Sequence, residues 1–123
     1  MVCLQTDLNY GDVANHRRET TLAIYFQSTI HVRSAGLQKF EKTMEKLVSI
    51  VEGTGWKLIG AYVQRTGRLN TVIDLWQLDD YNHYGLGLKH LTTHSDFPAI
   101  AAVLSETIED ETVVFMDKAP YSR

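Results

Sequence analysis

The sequence predicts an α+β fold in which helices cover one face of a four-stranded antiparallel sheet. Three observations predict it. Segments 20–32 and 111–116 are rich in β-branched and aromatic residues, and segment 56–78 is typical of a β-hairpin. The stretches between these segments carry apolar residues at helical spacing. The predicted order is therefore strand, helix, two strands, two helices and a last strand.

Composition restricts the class of protein. The chain has 123 residues, the length of one domain, with 44% hydrophobic and 22% charged residues, which is typical of a soluble globular protein. The formal net charge is −3 and the basic residues form no stripe, so a nucleic-acid partner is not expected. No apolar run approaches the roughly 18 residues of a membrane helix, and no secretory signal is visible. The single cysteine, Cys3, fits a reducing compartment, and we expect a cytoplasmic protein.

The first strand follows an N-terminal segment without periodicity. Residues 1–19 are predicted to form a flexible arm, and the folded domain is predicted over residues 20–123. Within residues 20–32, Leu22, Ile24 and Phe26 alternate with Ala23, Tyr25 and Gln27. This alternation has the period of a β-strand and assigns the two sets to opposite faces of the sheet.

The first helix has the clearest pattern in the chain. Ser34 is the predicted N-cap, and Gly53 and Gly55 are predicted to end the helix. An apolar stripe recurs at spacings of three and four residues, and it consists of Leu37, Phe40, Met44, Leu47 and Val51. Charged residues flank the stripe, so one helical face is predicted to pack on the sheet.

A hairpin and two further helices complete the domain. Residues 56–65 and 70–78 are predicted strands, joined by a turn that contains Gly67. Asp79 and Asp80 suit the start of the second helix, whose predicted apolar stripe consists of Tyr81, Tyr84, Leu88 and Leu91. The third helix is predicted over residues 96–108, with Ser95 as its cap, Pro98 in its first turn, and Phe97, Ile100, Leu104 and Ile108 facing inward.

The second helix also contains Gly85 and Gly87. Each glycine weakens the helix by roughly 1 kcal/mol relative to alanine. The pair does not form a dinucleotide-binding motif, because His90 stands where the third glycine is required. We interpret the glycines as leaving room for a ligand or for a neighbouring backbone.

The order of elements is the β-α-β-β-α-β pattern of the ferredoxin-like fold when the last two helices are counted as one broken segment. Helices would cover one face of the sheet and leave the other face open. Ile73 and Leu75 can supply apolar residues to that open face. Because an apolar open face does not persist alone, we expect a homodimer whose sheets meet face to face as an α+β barrel.

The sequence resembles the NIPSNAP family of the dimeric α+β barrel superfamily over residues 20–122. The resemblance lies in the segment "GWKLIGAYVQRTGRLNTVIDLWQLDD", in the later "HSDF", and in the closing "APYS". It implies the fold above, a homodimer, and a ligand pocket between each sheet and its own helices. It does not fix a reaction, since the superfamily includes polyketide oxygenases, isomerases, cyclising enzymes and haem-degrading enzymes.

Two positions depart from the patterns of similar proteins. NIPSNAP-like sequences usually have histidine two residues before the strand tryptophan, where this chain has Asp74. The polyketide oxygenases have a third-strand tryptophan, matched here by Trp76, together with an asparagine on the first strand. Residues 20–32 contain no asparagine, and Gln27 is the nearest amide. These departures argue against an oxygenase of that type.

Asp74 is the leading candidate for a catalytic base. It shares a strand face with Trp76, and if that face meets the helices, partial burial would raise the pKa of Asp74. A carboxylate with a raised pKa is suited to proton transfer near neutral pH. The alternative is a structural carboxylate at the sheet edge or one paired with Arg65 or Arg68 of the hairpin.

His83 and His90 are candidate partners in proton transfer. They are seven residues apart and project from nearly the same side of the second helix. The alternative for each is a capping or solvent-facing histidine. His90 and His94 have the four-residue spacing of metal ligands, but no further ligand motif accompanies them, so no metal site is predicted.

The substrate-binding candidates are Tyr25, Gln27, Tyr62, Trp76 and Tyr84. Together they predict a cavity for a hydrophobic, aromatic or polyketide-like ligand. The leading hypothesis is a small-molecule enzyme without a tightly bound cofactor that isomerises, cyclises or oxygenates an acidic carbon. The alternatives are a non-catalytic dimeric binding or interaction module, and a haem-binding protein that uses a histidine of the second helix.

Overall fold

The structure is a computed structural model that describes residues 23–123. The predicted arm over residues 1–19 and the first residues of the predicted first strand lie outside this range. No helix in the described range is both long enough and apolar enough to cross a membrane.

The described residues form a four-stranded sheet and three helices. The elements are β1 (Ile24–Val32), α1 (Leu37–Glu52), β2 (Lys57–Val63), β3 (Thr71–Leu78), α2 (Tyr81–Thr92), α3 (Phe97–Thr107) and β4 (Ile108–Met116). The strand order is β2-β3-β1-β4, and each neighbouring pair is antiparallel. The predicted α+β, ferredoxin-like arrangement is confirmed.

The central strand β1 shows how the sheet divides its two faces. Every second residue of β1 is buried, beginning with Ile24, because those side chains point towards the helices. Phe26 is paired with Trp76 of β3 and with Phe115 of β4. These three aromatic residues therefore lie side by side on the inner face, the face that the helices cover.

Two of the predicted helix caps are wrong. The N-cap of α1 is Gly36 rather than Ser34, and the N-cap of α3 is Asp96 rather than Ser95. Neither helix start has a side-chain capping hydrogen bond. Helix α1 instead begins in a tight turn, in which the main-chain N–H of Gly36 donates to the carbonyl oxygen of Arg33.

The start of α2 is as predicted. The side chain of Asp80 accepts a hydrogen bond from the main-chain N–H of His83 at 3.0 Å, which satisfies one free donor of the first turn.

The boundary between α3 and β4 differs from the prediction. Ile108 was predicted on the third helix, but its backbone is extended and it is the first residue of β4. The strand therefore starts three residues earlier than predicted. The carbonyl oxygen of Thr107 accepts a hydrogen bond from the main-chain N–H of Arg33 at 2.7 Å, and this bond holds the junction next to the end of β1.

The buried face of α2 matches the predicted stripe only in part: Tyr84, Leu88 and Leu91 face the sheet, whereas Tyr81 does not. Its buried residues are His83, Gly87 and Leu91, whereas Tyr81 is 59% exposed. The reason is the indole of Trp56, which packs directly on Gly87. A Cβ atom at Gly87 would lie 2.2 Å from that ring. The space left by this glycine is thus filled by a neighbouring side chain and not by a ligand or a backbone.

Candidate functional site

A cavity of about 230 Å³ lies between the inner face of the sheet and the helices. Its polar lining residues are Ser28, Asp74, Tyr84 and Glu111, and its other lining residues are Phe26, Ile30, Met44, Leu47, Val51, Trp56, Trp76, Leu88, Leu91, Leu104, Ile108 and Val113. A mostly apolar hollow with a few polar groups is the usual form of a small-molecule site.

One end of the cavity is built from aromatic rings. Trp56 and Tyr84 are stacked with ring centroids 5.5 Å apart, and Phe26 and Trp76 are stacked at 6.1 Å. The two tryptophans meet edge to face at 5.3 Å. These contacts fix the ring orientations, so the cavity presents preformed aromatic walls to a ligand.

Asp74 lies at the other end of the cavity and is only 3% exposed. It sits on β3 between Ser28 of β1 and Ala61 of β2. Burial, and to a smaller extent the charge of Glu111, together raise the pKa of Asp74 from 3.8 to about 6. Within residues 23–123, neither a hydrogen-bond donor nor a cation lowers it. The alternative pairing with Arg65 or Arg68 does not occur, and Arg68 instead contacts Glu109.

Two polar residues that the sequence analysis missed complete this end of the site. The hydroxyl of Ser28 donates a hydrogen bond to the carboxylate of Glu111 across the β1–β4 pair. Ser28 is also the direct cross-strand neighbour of Asp74. The signal for Ser28 was present, because it continues the alternation that placed Ile24 and Phe26 on one face.

Glu111 also acts on the tyrosine of this cavity. Burial raises the pKa of Tyr84, and the charge of Glu111 raises it further. The phenol of Tyr84 therefore remains protonated at neutral pH and can donate a hydrogen bond into the cavity. Two carboxylates, a serine and a tyrosine thus form one polar group on β1, β3, β4 and α2, which we call the carboxylate cluster (Ser28, Asp74, Tyr84, Glu111).

A second cavity of about 400 Å³ lies between α1 and the edge strand β2. It shares Met44 and Asp74 with the first cavity, so Asp74 lines both. Glu41 and Glu45 of α1 also line it, and both are exposed to solvent. The remaining lining residues are Phe40, Val48, Leu58, Ala61, Tyr62, Val63 and Val72.

The structure does not bring His83 to Asp74. His83 is 6% exposed, but it does not line the cavity. Its Nδ1 accepts a hydrogen bond from the main-chain N–H of Asp79 at 3.0 Å, so Nε2 carries the ring proton and donates to the carbonyl oxygen of Thr54 at 2.7 Å. Both ring nitrogens are therefore engaged in holding α2 against the end of α1.

His90 also lies away from the cavity. It is exposed, and its ring lies 6.3 Å from that of His94. In the described part of the chain, no group of three His, Cys, Asp or Glu side chains can hold a metal ion.

The remaining predicted residues divide between the two faces of the sheet. Trp76 and Tyr84 line the cavity together with Asp74, as predicted. Tyr25 and Gln27 alternate with the buried residues of β1 and lie on the outer face, opposite the helices. Tyr62, on β2, is 59% exposed and borders the second cavity only.

The chain matches the NIPSNAP family over residues 25–123. No curated protein matches it. The match to the family confirms the resemblance seen in the sequence over nearly all of the described residues.

Solved structures share the fold at low sequence identity. A NIPSNAP domain protein from Burkholderia xenovorans is 22% identical, with a TM-score of 0.71, over 81% of this chain and 98% of that chain. A NIPSNAP family protein from Agrobacterium tumefaciens is 21% identical, with a TM-score of 0.73, over 81% and 96%. A candidate antibiotic biosynthesis monooxygenase from Caulobacter crescentus is 19% identical, with a TM-score of 0.62, over 85% and 98%.

Proposed function

This chain belongs to the NIPSNAP family, and from the chemistry of its cavity we propose that it is a small-molecule enzyme without a tightly bound cofactor. It acts on a hydrophobic, aromatic or polyketide-like substrate by proton transfer at an acidic carbon. The outcome of that transfer is isomerisation or cyclisation, or oxygenation when dissolved dioxygen reacts with the carbanion and acts as the oxidant. One observation carries the proposal: a buried carboxylate without a partner in residues 23–123 lines a mostly apolar cavity of about 230 Å³.

Asp74 is the proposed base. A carboxyl group with a pKa of about 6 is ionised at neutral pH and is still basic enough to accept a proton from a carbon acid. The protonated form is also tolerated, because burial favours the neutral carboxyl group. Asp74 can therefore take a proton from one carbon and return it to another, which is the sequence of events in an isomerisation.

Tyr84 and the aromatic walls have supporting roles in this proposal. Loss of a proton from a carbon next to a carbonyl group places negative charge on the carbonyl oxygen, and the Tyr84 hydroxyl can donate a hydrogen bond to it. Trp56 and Trp76 line the cavity and offer aromatic surface against which a planar substrate can pack. The carboxylate and the phenol line the same cavity, as this division of roles requires.

Hydrogen–deuterium exchange tests the proposal without knowledge of the natural substrate. β-Tetralone is an aromatic ketone with acidic C–H bonds, and its deuterium uptake in heavy water can be followed by NMR. We expect the protein to accelerate the uptake and the Asp74→Asn variant to lose this acceleration by about a hundredfold or more. Glu52→Gln, an exposed position at the end of α1, is the control and should match the unmodified protein. Equal rates for Asp74→Asn and the unmodified protein would remove Asp74 as the base.

A binding module is the second candidate. The same cavity can hold a ligand without reaction, and the carboxylate cluster would then serve recognition only. Saturable binding of β-tetralone without deuterium uptake would favour this alternative. The haem-binding hypothesis receives no support from the cavity, because no histidine of residues 23–123 lines it.

We also propose that the chain forms a two-fold homodimer through the outer face of the sheet. Ile73, Leu75 and Val114 present apolar side chains there, and Val114 is 47% exposed. A partner copy would cover this face. Analytical ultracentrifugation should show a dimer for the unmodified protein and a monomer for Val114→Lys. A monomeric unmodified protein would contradict the proposal.

A further inference from the structure

We infer that the ligand of this site carries a positive charge and is a hydrophobic, preferably aromatic, amine rather than an acid or a phosphate ester. The inference rests on the proposed function, because it assigns a chemical class to the substrate of the same cavity. It depends on the charges that line the two cavities, on the lack of a hydrogen-bond donor or cation for Asp74 in residues 23–123, and on the aromatic walls.

The two cavities carry charge of one sign. Asp74 and Glu111 line the first cavity, and Glu41, Glu45 and Asp74 line the second. Within residues 23–123, no lysine, arginine or histidine lines either cavity. Four carboxylates therefore line the two cavities, and an anionic ligand would have to approach them without a compensating cation.

Of these carboxylates, Asp74 is the one that a cation would stabilise most. Asp74 is only 3% exposed, so its carboxylate has lost contact with bulk water, and no donor in the described part of the chain compensates for this loss. Ser28 could have served as that donor, but its hydroxyl is directed to Glu111. A ligand ammonium group would supply both a hydrogen-bond donor and the opposite charge.

The aromatic walls favour the same ligand. The faces of Trp56, Trp76, Phe26 and Tyr84 carry negative electrostatic potential and attract cations as well as apolar groups. A hydrophobic amine can therefore place its apolar part against the rings and its ammonium group between Glu111 and one oxygen of Asp74, which leaves the other Asp74 oxygen to take the proton from carbon. A simple hydrocarbon would gain only the first of these contacts.

The second cavity provides a route of entry with the same preference. Glu41 and Glu45 are one turn apart on the solvent-exposed part of α1 and border the opening beside β2. Met44 lines both cavities, and its flexible side chain can move to connect them. Negative charge at an entrance raises the local concentration of cationic ligands and accelerates their association.

Three probes of one shape test the inference: phenylbutylamine, phenylbutanol and phenylbutyrate. Trp56 and Trp76 are the two tryptophans of the chain and both line the first cavity, so tryptophan fluorescence reports binding there. At neutral pH we expect the amine to bind at least about tenfold more tightly than the alcohol, and the carboxylate to bind most weakly.

Charge-neutralising variants then locate the origin of the preference. Asp74→Asn should reduce the ratio of amine affinity to alcohol affinity about tenfold, and Glu111→Gln should reduce it less. The double variant Glu41→Gln/Glu45→Gln changes only exposed side chains, so it keeps the test valid if Asp74→Asn does not fold. It should slow association of the amine about threefold and leave that of the alcohol unchanged. Glu52→Gln is the matched control.

Each result of these binding measurements either supports or overturns the inference. An amine preference that falls in Asp74→Asn supports the inference. Equal binding of the alcohol and the amine, or tighter binding of the carboxylate, overturns it, while the proposed function stands because a hydrophobic ligand still enters the cavity. Binding of none of the three probes overturns the inference and the proposed function together.

Discussion

The surroundings of His83 and those of Asp74 form an instructive pair. Both side chains are almost completely buried, and both were predicted from the sequence to take part in proton transfer. Around His83, each ring nitrogen has a main-chain partner, and its own carbonyl oxygen accepts a hydrogen bond from the Trp56 indole at 2.9 Å. Around Asp74, residues 23–123 provide neither a donor nor a cation, and the charge that acts on its pKa is that of Glu111.

This difference separates a structural polar residue from a functional one. A buried polar group that has all its hydrogen bonds stabilises the fold, because breaking them would leave donors and acceptors unpaired. A buried carboxylate without such bonds destabilises the fold, so its presence calls for another explanation. The two regions should therefore respond in opposite directions when their polar group is removed.

The largest effect is expected for His83→Ala. The change leaves the main-chain N–H of Asp79 and the carbonyl oxygen of Thr54 without partners and opens a cavity, which together should lower the free energy of unfolding by about 4 kcal/mol. Urea denaturation measures this loss. His90→Ala is the control on the same helix, and since His90 is exposed, its effect should stay within about 0.5 kcal/mol. Similar losses in both variants would contradict a structural role for His83.

Asp74→Asn should have the opposite sign. A rise of the Asp74 pKa from 3.8 to about 6 corresponds to a cost of about 3 kcal/mol when the carboxyl group is ionised in the folded state. Between pH 3.8 and about pH 6, the folded state binds more protons than the unfolded state. The free energy of unfolding therefore falls as pH rises through this range. The variant should therefore be about 3 kcal/mol more stable than the unmodified protein at pH 7 and equally stable below about pH 3.8.

Urea denaturation of both proteins at several pH values checks this prediction. Taking the difference between the two proteins removes the contribution of the other carboxylates. A variant that is less stable at pH 7 would mean that Asp74 has a stabilising partner, and the contrast with His83 would then fail.

The fold was predictable from the sequence because its signals are local. The alternation in residues 24–32 and the spacing of Phe40, Met44, Leu47 and Val51 each follow from one element, so no knowledge of the tertiary structure was needed. The same local reasoning placed Asp74 and Trp76 on one face of β3. The caps at Ser34 and Ser95 were wrong because the chain enters both helices through local main-chain turns, in which the N–H of Gly36 donates to Arg33 and the N–H of Phe97 donates to His94.

The rest of the site depends on contacts between elements that are distant in sequence. Glu111 joins the site only because β4 pairs with β1 in a register that places it diagonally from Ser28. The buried face of α2 depends on the position of Trp56, which no periodicity within α2 reveals. His83 was predicted as a catalytic partner from its seven-residue spacing to His90. That spacing indicates the side of the helix on which a residue lies, but it does not indicate which hydrogen bonds the side chain makes.

Gly87→Ala should have an intermediate effect and extends the comparison to backbone packing. The new methyl group would meet the Trp56 indole, so the helix or the ring must shift, at a cost of about 2 kcal/mol in the free energy of unfolding. Gly85→Ala is the matched control, because nothing lies within 4 Å of its added Cβ. That variant should be more stable by about 0.5 kcal/mol, since alanine favours the helix. Two variants of equal stability would show that Trp56 does not determine how α2 lies on the sheet.

Glu111→Gln should have the smallest effect and tests the cause of the Asp74 shift. Burial is the larger cause and the charge of Glu111 the smaller, so removing that charge should lower the pKa of Asp74 by only a fraction of the total shift. Carbon-detected NMR of the labelled Asp74 carboxyl group measures its titration directly. Ser28 can still donate to the glutamine carbonyl oxygen, so the packing of β1 against β4 should be retained. A return of the Asp74 pKa to its ordinary value would instead make Glu111 the dominant cause, and Asp74 would then be one member of an interacting pair rather than a carboxylate set apart by its burial.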